Sequence, residues 1–187
     1  MSFLGSSMNA EAIAALIGVL VALVIFFRQQ QQLLSVQRQQ TYQRLELASN
    51  ELFRFAADNA GVLARYVKEE PSGDLTDLEK AIADNHIYQT LNLFEMAARL
   101  RRAKFFEDEI FGSWVIWYYE MLGSWYFRRK WPEIRPNYTS EMRLVFDEPI
   151  RKFDPNASDA ERKQQFFAHV ARVLKCPLVR DWLVEAR

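Results

Sequence analysis

The sequence predicts an all-α protein: an N-terminal transmembrane helix continuing into a long stalk helix, then a compact multi-helix cytosolic domain. Three observations carry that expectation. An unbroken apolar run passes, with no turn residue, into a glutamine-rich stretch. Two Ser/Thr-x-x-Glu boxes, Thr76–Glu79 and Ser158–Glu161, stand ahead of segments with helical apolar spacing. No short alternating run bracketed by turn residues signals a strand.

The apolar run covers 12–27, where every residue is Ala, Ile, Leu, Gly, Val or Phe. At 1.5 Å per residue it covers about 24 Å, and starting at Met8 extends it to about 30 Å, the thickness of a hydrocarbon core. A cleaved signal peptide needs a basic start, yet no Lys or Arg precedes Arg28. A buried core helix needs a turn to fold it back, and Gln29–Gln32 supplies none. The segment therefore reads as a membrane anchor over 10–27, with 1–9 as an extracytoplasmic tail. Arg28, Arg38 and Arg44 follow the span before the first acid, Glu46. By the positive-inside rule the N-terminus is expected outside and the rest in the cytoplasm, at the bacterial inner membrane. Ala10, Ala14, Gly18 and Ala22 recur every four residues, a small-residue face that suits helix–helix approach, although Ala and Gly are also common in such helices.

Residues 28–50 form the expected stalk. Eight of the 16 residues in 28–43 are Gln, a good helix former, and none is Gly or Pro. From Thr41 an alternating 4-3 spacing runs through Leu45, Ala48, Leu52, Phe55, Asn59, Val62 and Tyr66. Leu45, Leu52 and Asn59 are candidate oligomer-face positions, and Asn59 would fix register. The same stripe also suits packing on the chain's own domain, the preferred reading for Leu52–Tyr66. The helix is expected to end near Glu70, before Pro71-Ser72-Gly73.

The cytosolic domain is assigned to 51–187. A short helix from the Thr76 box, a longer one over 86–102 and a long aromatic helix over 108–131 are expected in turn. The last repeats Gly-Ser-Trp at 112–114 and 123–125, eleven residues apart and so on nearly one face of a continuous helix. It is apolar enough to raise the question of a second span. Glu120 near its middle and Arg128-Arg129-Lys130 at its end argue instead for a core helix. A loop at Pro132–Pro136, a helix over 140–153, a helix from Ser158 to about Lys175 and a terminal helix from Pro177 complete the reading.

Tyr88–Glu95, Arg99-Leu-Arg-Arg102, Phe106–Glu109 and the aromatic helix together resemble a bacterial family of unknown function. The resemblance spans roughly residues 10 to 150. It implies a membrane helix, a helical cytosolic domain and a bacterial origin. It implies no activity and no catalytic residue.

Chemistry is harder to find. The chain holds 24 basic and 24 acidic residues, so no basic excess points to nucleic acid. One cysteine, Cys176, excludes an internal disulfide and a multi-cysteine metal site. His86 and His169 lack metal-ligand spacing. No phosphate-binding glycine loop occurs, and no cofactor is expected. Glu95 and Glu120 interrupt apolar surroundings; with Arg99, Arg102 and Arg135 they make a candidate buried polar cluster, read as structural ion pairing. A general acid–base pair, or a ligand site lined by Trp and Tyr, is the alternative. The basic groups Arg99–Lys104 and Arg128–Arg135 are expected to be solvated or internally paired, with anionic lipid or nucleotide contact as the other options. The expected role is a non-enzymatic, membrane-anchored interaction or scaffold protein. Its partners would be the lipid bilayer, further copies of itself and an unidentified membrane or cytosolic protein. The alternatives are a membrane-tethered regulatory or defence effector sensing a ligand or nucleic acid, and a hydrolase-type enzyme using Glu95, Glu120 and nearby arginines.

Overall fold

The computed structural model describes residues 10–67, 76–105, 107–177 and 179–181. The chain is all-α, with no strand among the described residues. It divides into two units, Met1–Tyr42 and Gln43–Arg187, a boundary inside the stretch assigned to the stalk. The Pro71–Gly73 break and the Phe106 turn residue lie outside the described residues, as does 182–187.

Helix α1, Ala10–Asp58, is a single element of 49 residues. Its apolar start and its glutamine section are continuous because no Gly-Pro signal interrupts them and Gln propagates a helix well. Every residue over 12–40 is exposed. In the second unit the same helix gains an inward face: Leu45, Ser49 and Leu52 are buried while Leu47 and Phe53 stay exposed. The 4-3 stripe is thus covered, in part, by the chain's own body.

The helix stops earlier than the sequence suggests. Asn59 forms a turn between α1 and α2, Ala60–Val67. Its side-chain amide donates to the Phe55 carbonyl at 2.8 Å, and its own carbonyl accepts from Val62 and Leu63. An asparagine that bonds local backbone offers the chain an alternative to the regular ladder.

Helix α3, Asp77–Arg102, is one continuous element of 26 residues rather than a short helix and a long one. Thr76 and Glu79 close a reciprocal capping box at its start. Ala83, Ile87, Thr90, Leu91, Phe94, Ala97 and Ala98 form its buried stripe at the 3-4 spacing of one helix face.

The expected long aromatic helix is two helices, α4, Asp108–Gly123, and α5, Trp125–Ile134. Ser124 adopts an extended conformation (φ −71°, ψ 119°) and caps α5 by accepting from the Phe127 amide. Its hydroxyl also donates to the Tyr66 carbonyl at 3.0 Å. The two Gly-Ser-Trp units therefore do not share one helix face. Pro132 sits inside α5, not in a loop, and residues 135–137 make a single 3-10 turn. Helix α6, Ser140–Arg151, contains Pro149, and α7, Asp159–Leu174, opens on the second capping box at Ser158 and Glu161. Residues 177 and 179–181 are helical.

Helix α4 packs against α3, α5, α6 and α7 and is the hub of the second unit. Phe94, Phe111, Tyr118, Phe127 and Phe146 are fully buried. The Tyr118 ring lies 3.9 Å from Phe94, and Phe127 lies edge-on to Phe146 at 5.0 Å. Each such ring contributes roughly 1.5–3 kcal/mol by leaving water. Because Ser124 both caps α5 and ties the elbow to α2, Ser124→Ala should lower stability by about 1–2 kcal/mol. Thermal unfolding of the detergent-solubilised chain, followed by its near-UV aromatic signal, measures this; an unchanged midpoint refutes the elbow's role.

Candidate functional site

The candidate polar cluster divides into three places. Glu95 on α3 accepts the Thr139 amide at 2.8 Å, so its carboxylate caps the first turn of α6. Arg99 faces it at 3.4 Å, and Arg102 reaches Glu141 at 3.8 Å. Glu95 and Arg102 join α3 to α6, while Arg99 neutralises Glu95 from one turn along the same helix. Arg135 is elsewhere, in a bidentate pair with Asp147 (2.7 and 2.8 Å), and the Trp131 indole donates to the same carboxylate at 2.9 Å. Glu120 is separate from both: it is exposed on α4 and has no ion-pair partner among the described residues.

The basic clusters are largely taken up by the fold. Arg101 donates to Asp108 at 2.6 Å and to the Leu174 carbonyl at 2.7 Å, and so binds the end of α7 to α3 and α4. Arg128 donates to the Leu122 and Gly123 carbonyls and stacks 3.6 Å over Phe153. Lys130 joins Asp84 and Glu133, and these carboxylates raise its pKa, with Glu133 contributing most. Asp147 and Asp84 were not singled out from sequence as pairing residues, and Arg101 was read only within a basic group expected to be solvated or internally paired. Their partners are remote along the chain or separated by irregular backbone, and local spacing carries no trace of them.

His169 is buried, with Nε2 2.7 Å from the Leu144 carbonyl and Nδ1 3.3 Å from Glu148. Cys176 is buried, its Sγ 3.9 Å from the Asp108 carbonyl. Among the described residues no group of three or more His, Cys, Asp or Glu side chains is arranged to hold a metal.

Two cavities among the described residues of the second unit bear on function. The larger, about 540 Å³, lies between α6 and α7. Its charged groups serve one another: Glu148 meets Lys152, His169 and Arg172, while Arg162 donates to the Ala157 carbonyl and closes the loop before α7. The smaller, about 290 Å³, is lined by α1, α2, α3, α4 and α5. Its walls are apolar and aromatic, with Leu52, Phe53, Ile87, Trp117, Met121 and Tyr126 among them. Phe53 meets Trp117 edge-on at 4.8 Å.

The polar groups at this smaller cavity are few and differ in kind. The Tyr126 hydroxyl donates to Asp84 at 3.0 Å; burial, with that bond, pushes its pKa up to about 12. Burial pushes His86 below its ordinary value, so it is neutral at neutral pH. Thr90 spends its hydroxyl on the His86 carbonyl. Tyr66 is buried and its hydroxyl has no hydrogen-bond partner among the described residues. Glu120 stands among the lining residues. This site, and not the larger one, holds the Tyr66 hydroxyl, the buried polar atom left without a hydrogen bond among the described residues. No family model, curated protein or solved structure matches the chain.

Two expectations follow for stability. The fully buried Tyr118 hydroxyl donates to the Phe94 carbonyl at 3.1 Å, so Tyr118→Phe should cost about 1 kcal/mol, whereas Tyr66→Phe removes an orphan and should be neutral or stabilising. Comparing the two unfolding midpoints decides; a loss in Tyr66→Phe as large as in Tyr118→Phe refutes the assignment. The Arg135 guanidinium, aided by the Trp131 N–H, holds the Asp147 carboxyl below its ordinary value. A depressed carboxyl stabilises the fold above its unfolded pKa of about 3.9 and loses that contribution as the pH falls through the folded value. Asp147→Asn should therefore melt lower than the parent at pH 7, with the gap closing below about pH 4. A gap that does not change with pH refutes the linkage.

Proposed function

We propose that this is a single-pass, non-enzymatic interaction protein of the bacterial inner membrane, with its N-terminus outside and its helical body in the cytoplasm. The observation that carries the reading is the first half of α1. Its most apolar window has a mean hydropathy of 2.3 over 18 residues, and none of that window is buried inside the chain. Ile17, Val19 and Phe27 are more than half exposed. A row of such side chains in water forgoes roughly 1.5–3 kcal/mol each, and nothing among the described residues covers them. Lipid is the solvent that suits them, and the helix is long enough to cross it. Arg28, Arg38 and Arg44 on the C-terminal side support the orientation.

Self-association through α1 is part of the proposal. Ala14, Gly18 and Ala22 share one face. A Cβ added at Gly18 would meet nothing within 4 Å, so a larger residue there leaves the single chain undisturbed. The polar glutamine section carries exposed Leu33, Leu34 and Val36, which suits a helical bundle with other copies.

The test uses full-length protein in cells. The chain should sediment with membranes, resist carbonate extraction and release only with detergent. A reporter fused after Arg187 should be active on the cytoplasmic side alone. Recovery in the soluble fraction overturns the anchor, and an active reporter outside overturns the orientation. Gly18→Leu should reduce the mass of the detergent-solubilised assembly without changing its helicity; an unaltered mass removes this face from the interface.

A further inference from the structure

We propose that the smaller cavity, enclosed by the end of α1 and by α2, α3, α4 and α5, is a binding site for a small aromatic amine in its ammonium form. The inference does not depend on whether α1 crosses a membrane, because every lining residue belongs to the Gln43–Arg187 unit.

Three observations select this chemistry. The first is space: about 290 Å³ is close to the lower end of small-ligand pockets, enough for a two-ring body with a short arm. The second is the wall. Phe53, Tyr66, Trp117 and Tyr126 all line the cavity, and Phe53 and Trp117 meet edge-on at 4.8 Å while Tyr66 and Tyr126 lie 5.4 Å apart. Such faces take an aromatic body and attract a cation through their quadrupoles. The third is the polar remainder. Glu120 brings a carboxylate to the cavity and has no ion-pair partner among the described residues. The buried Tyr66 hydroxyl adds an oxygen with no hydrogen-bond partner among the described residues. An ammonium N–H can serve both kinds of acceptor, while an anionic ligand would meet Glu120 as a like charge.

The surroundings agree in sign. His86 is neutral, so it opposes neither the ammonium nor the aromatic body. Two cations of α5 are committed elsewhere, Lys130 to Asp84 and Glu133 and Arg128 to carbonyl oxygens. The larger cavity between α6 and α7 lacks this character because its acid, Glu148, already holds three cationic or ionisable neighbours.

The full-length chain in zwitterionic lipid nanodiscs is titrated by calorimetry with three probes sharing one ring system: 2-(2-naphthyl)ethylamine, 2-(2-naphthyl)ethanol and 3-(2-naphthyl)propanoate. Empty nanodiscs supply the partitioning blank. The amine should saturate at one per chain and bind at least about tenfold more tightly than the alcohol, with the propanoate weakest. Glu120→Gln, at an exposed position, should keep the fold by circular dichroism, leave alcohol binding unchanged and erase the amine's advantage. Glu120→Lys should invert the order in favour of the propanoate. Equal binding of amine and alcohol to the parent chain overturns the proposal. So does an amine preference that survives Glu120→Gln, an order that Glu120→Lys leaves uninverted, or no saturable binding by any probe.

Discussion

The second unit depends on one contact, the Tyr118 side chain of α4 set against Phe94 of α3. The ring lies 3.9 Å from the Phe94 ring, and the hydroxyl reaches the Phe94 carbonyl, so the pair is held by both packing and a hydrogen bond. Tyr118 also faces Phe111 and Phe146, which brings α6 to the same centre. Because interiors pack at crystalline density, a helix that touches four others has little freedom once one of its large side chains is fixed. The bend at Ser124 follows from this. Only by turning can the chain bring Phe127 and Trp131 back onto Phe146.

Much of this fold was legible in the sequence, and the reasons are local. The two capping boxes depend on residues three apart, and both close as their spacing implies. The α3 stripe, from Ile87 through Leu91, Phe94, Ala97 and Ala98, is periodic and therefore readable. The apolar start of α1 is a matter of composition alone. The Ser124 break was hidden. Gly-Ser within an aromatic run is compatible with a helix, and the bond that fixes the bend reaches Tyr66, 58 residues away. Asn59 was read as a seam residue because its position fits the heptad; its side chain instead takes a backbone carbonyl one turn back.

The site was legible only in fragments. Glu120 sits among aromatic neighbours in sequence, and Trp117 and Met121 line the smaller cavity with it, yet the carboxylate remains at the surface. Arg135 was read as a candidate partner in the cluster of Glu95 and Glu120, but it pairs with Asp147. Asp147 follows it after a 3-10 turn and most of two helical turns, a geometry that no spacing rule encodes. Neutral net charge likewise says nothing about where the charges go. Here the arginines are spent on carbonyl oxygens and on carboxylates of neighbouring helices, so the basic runs of the sequence become struts of the body.

The burial of Cys176 has a practical corollary. The sole thiol of the chain is 1% exposed, so a maleimide reagent finds nothing to alkylate in the folded protein. A cysteine installed at any position along α1 would therefore report its own surroundings against a silent native background. The depth at which labelling ceases could be mapped residue by residue without first removing a natural sulfur.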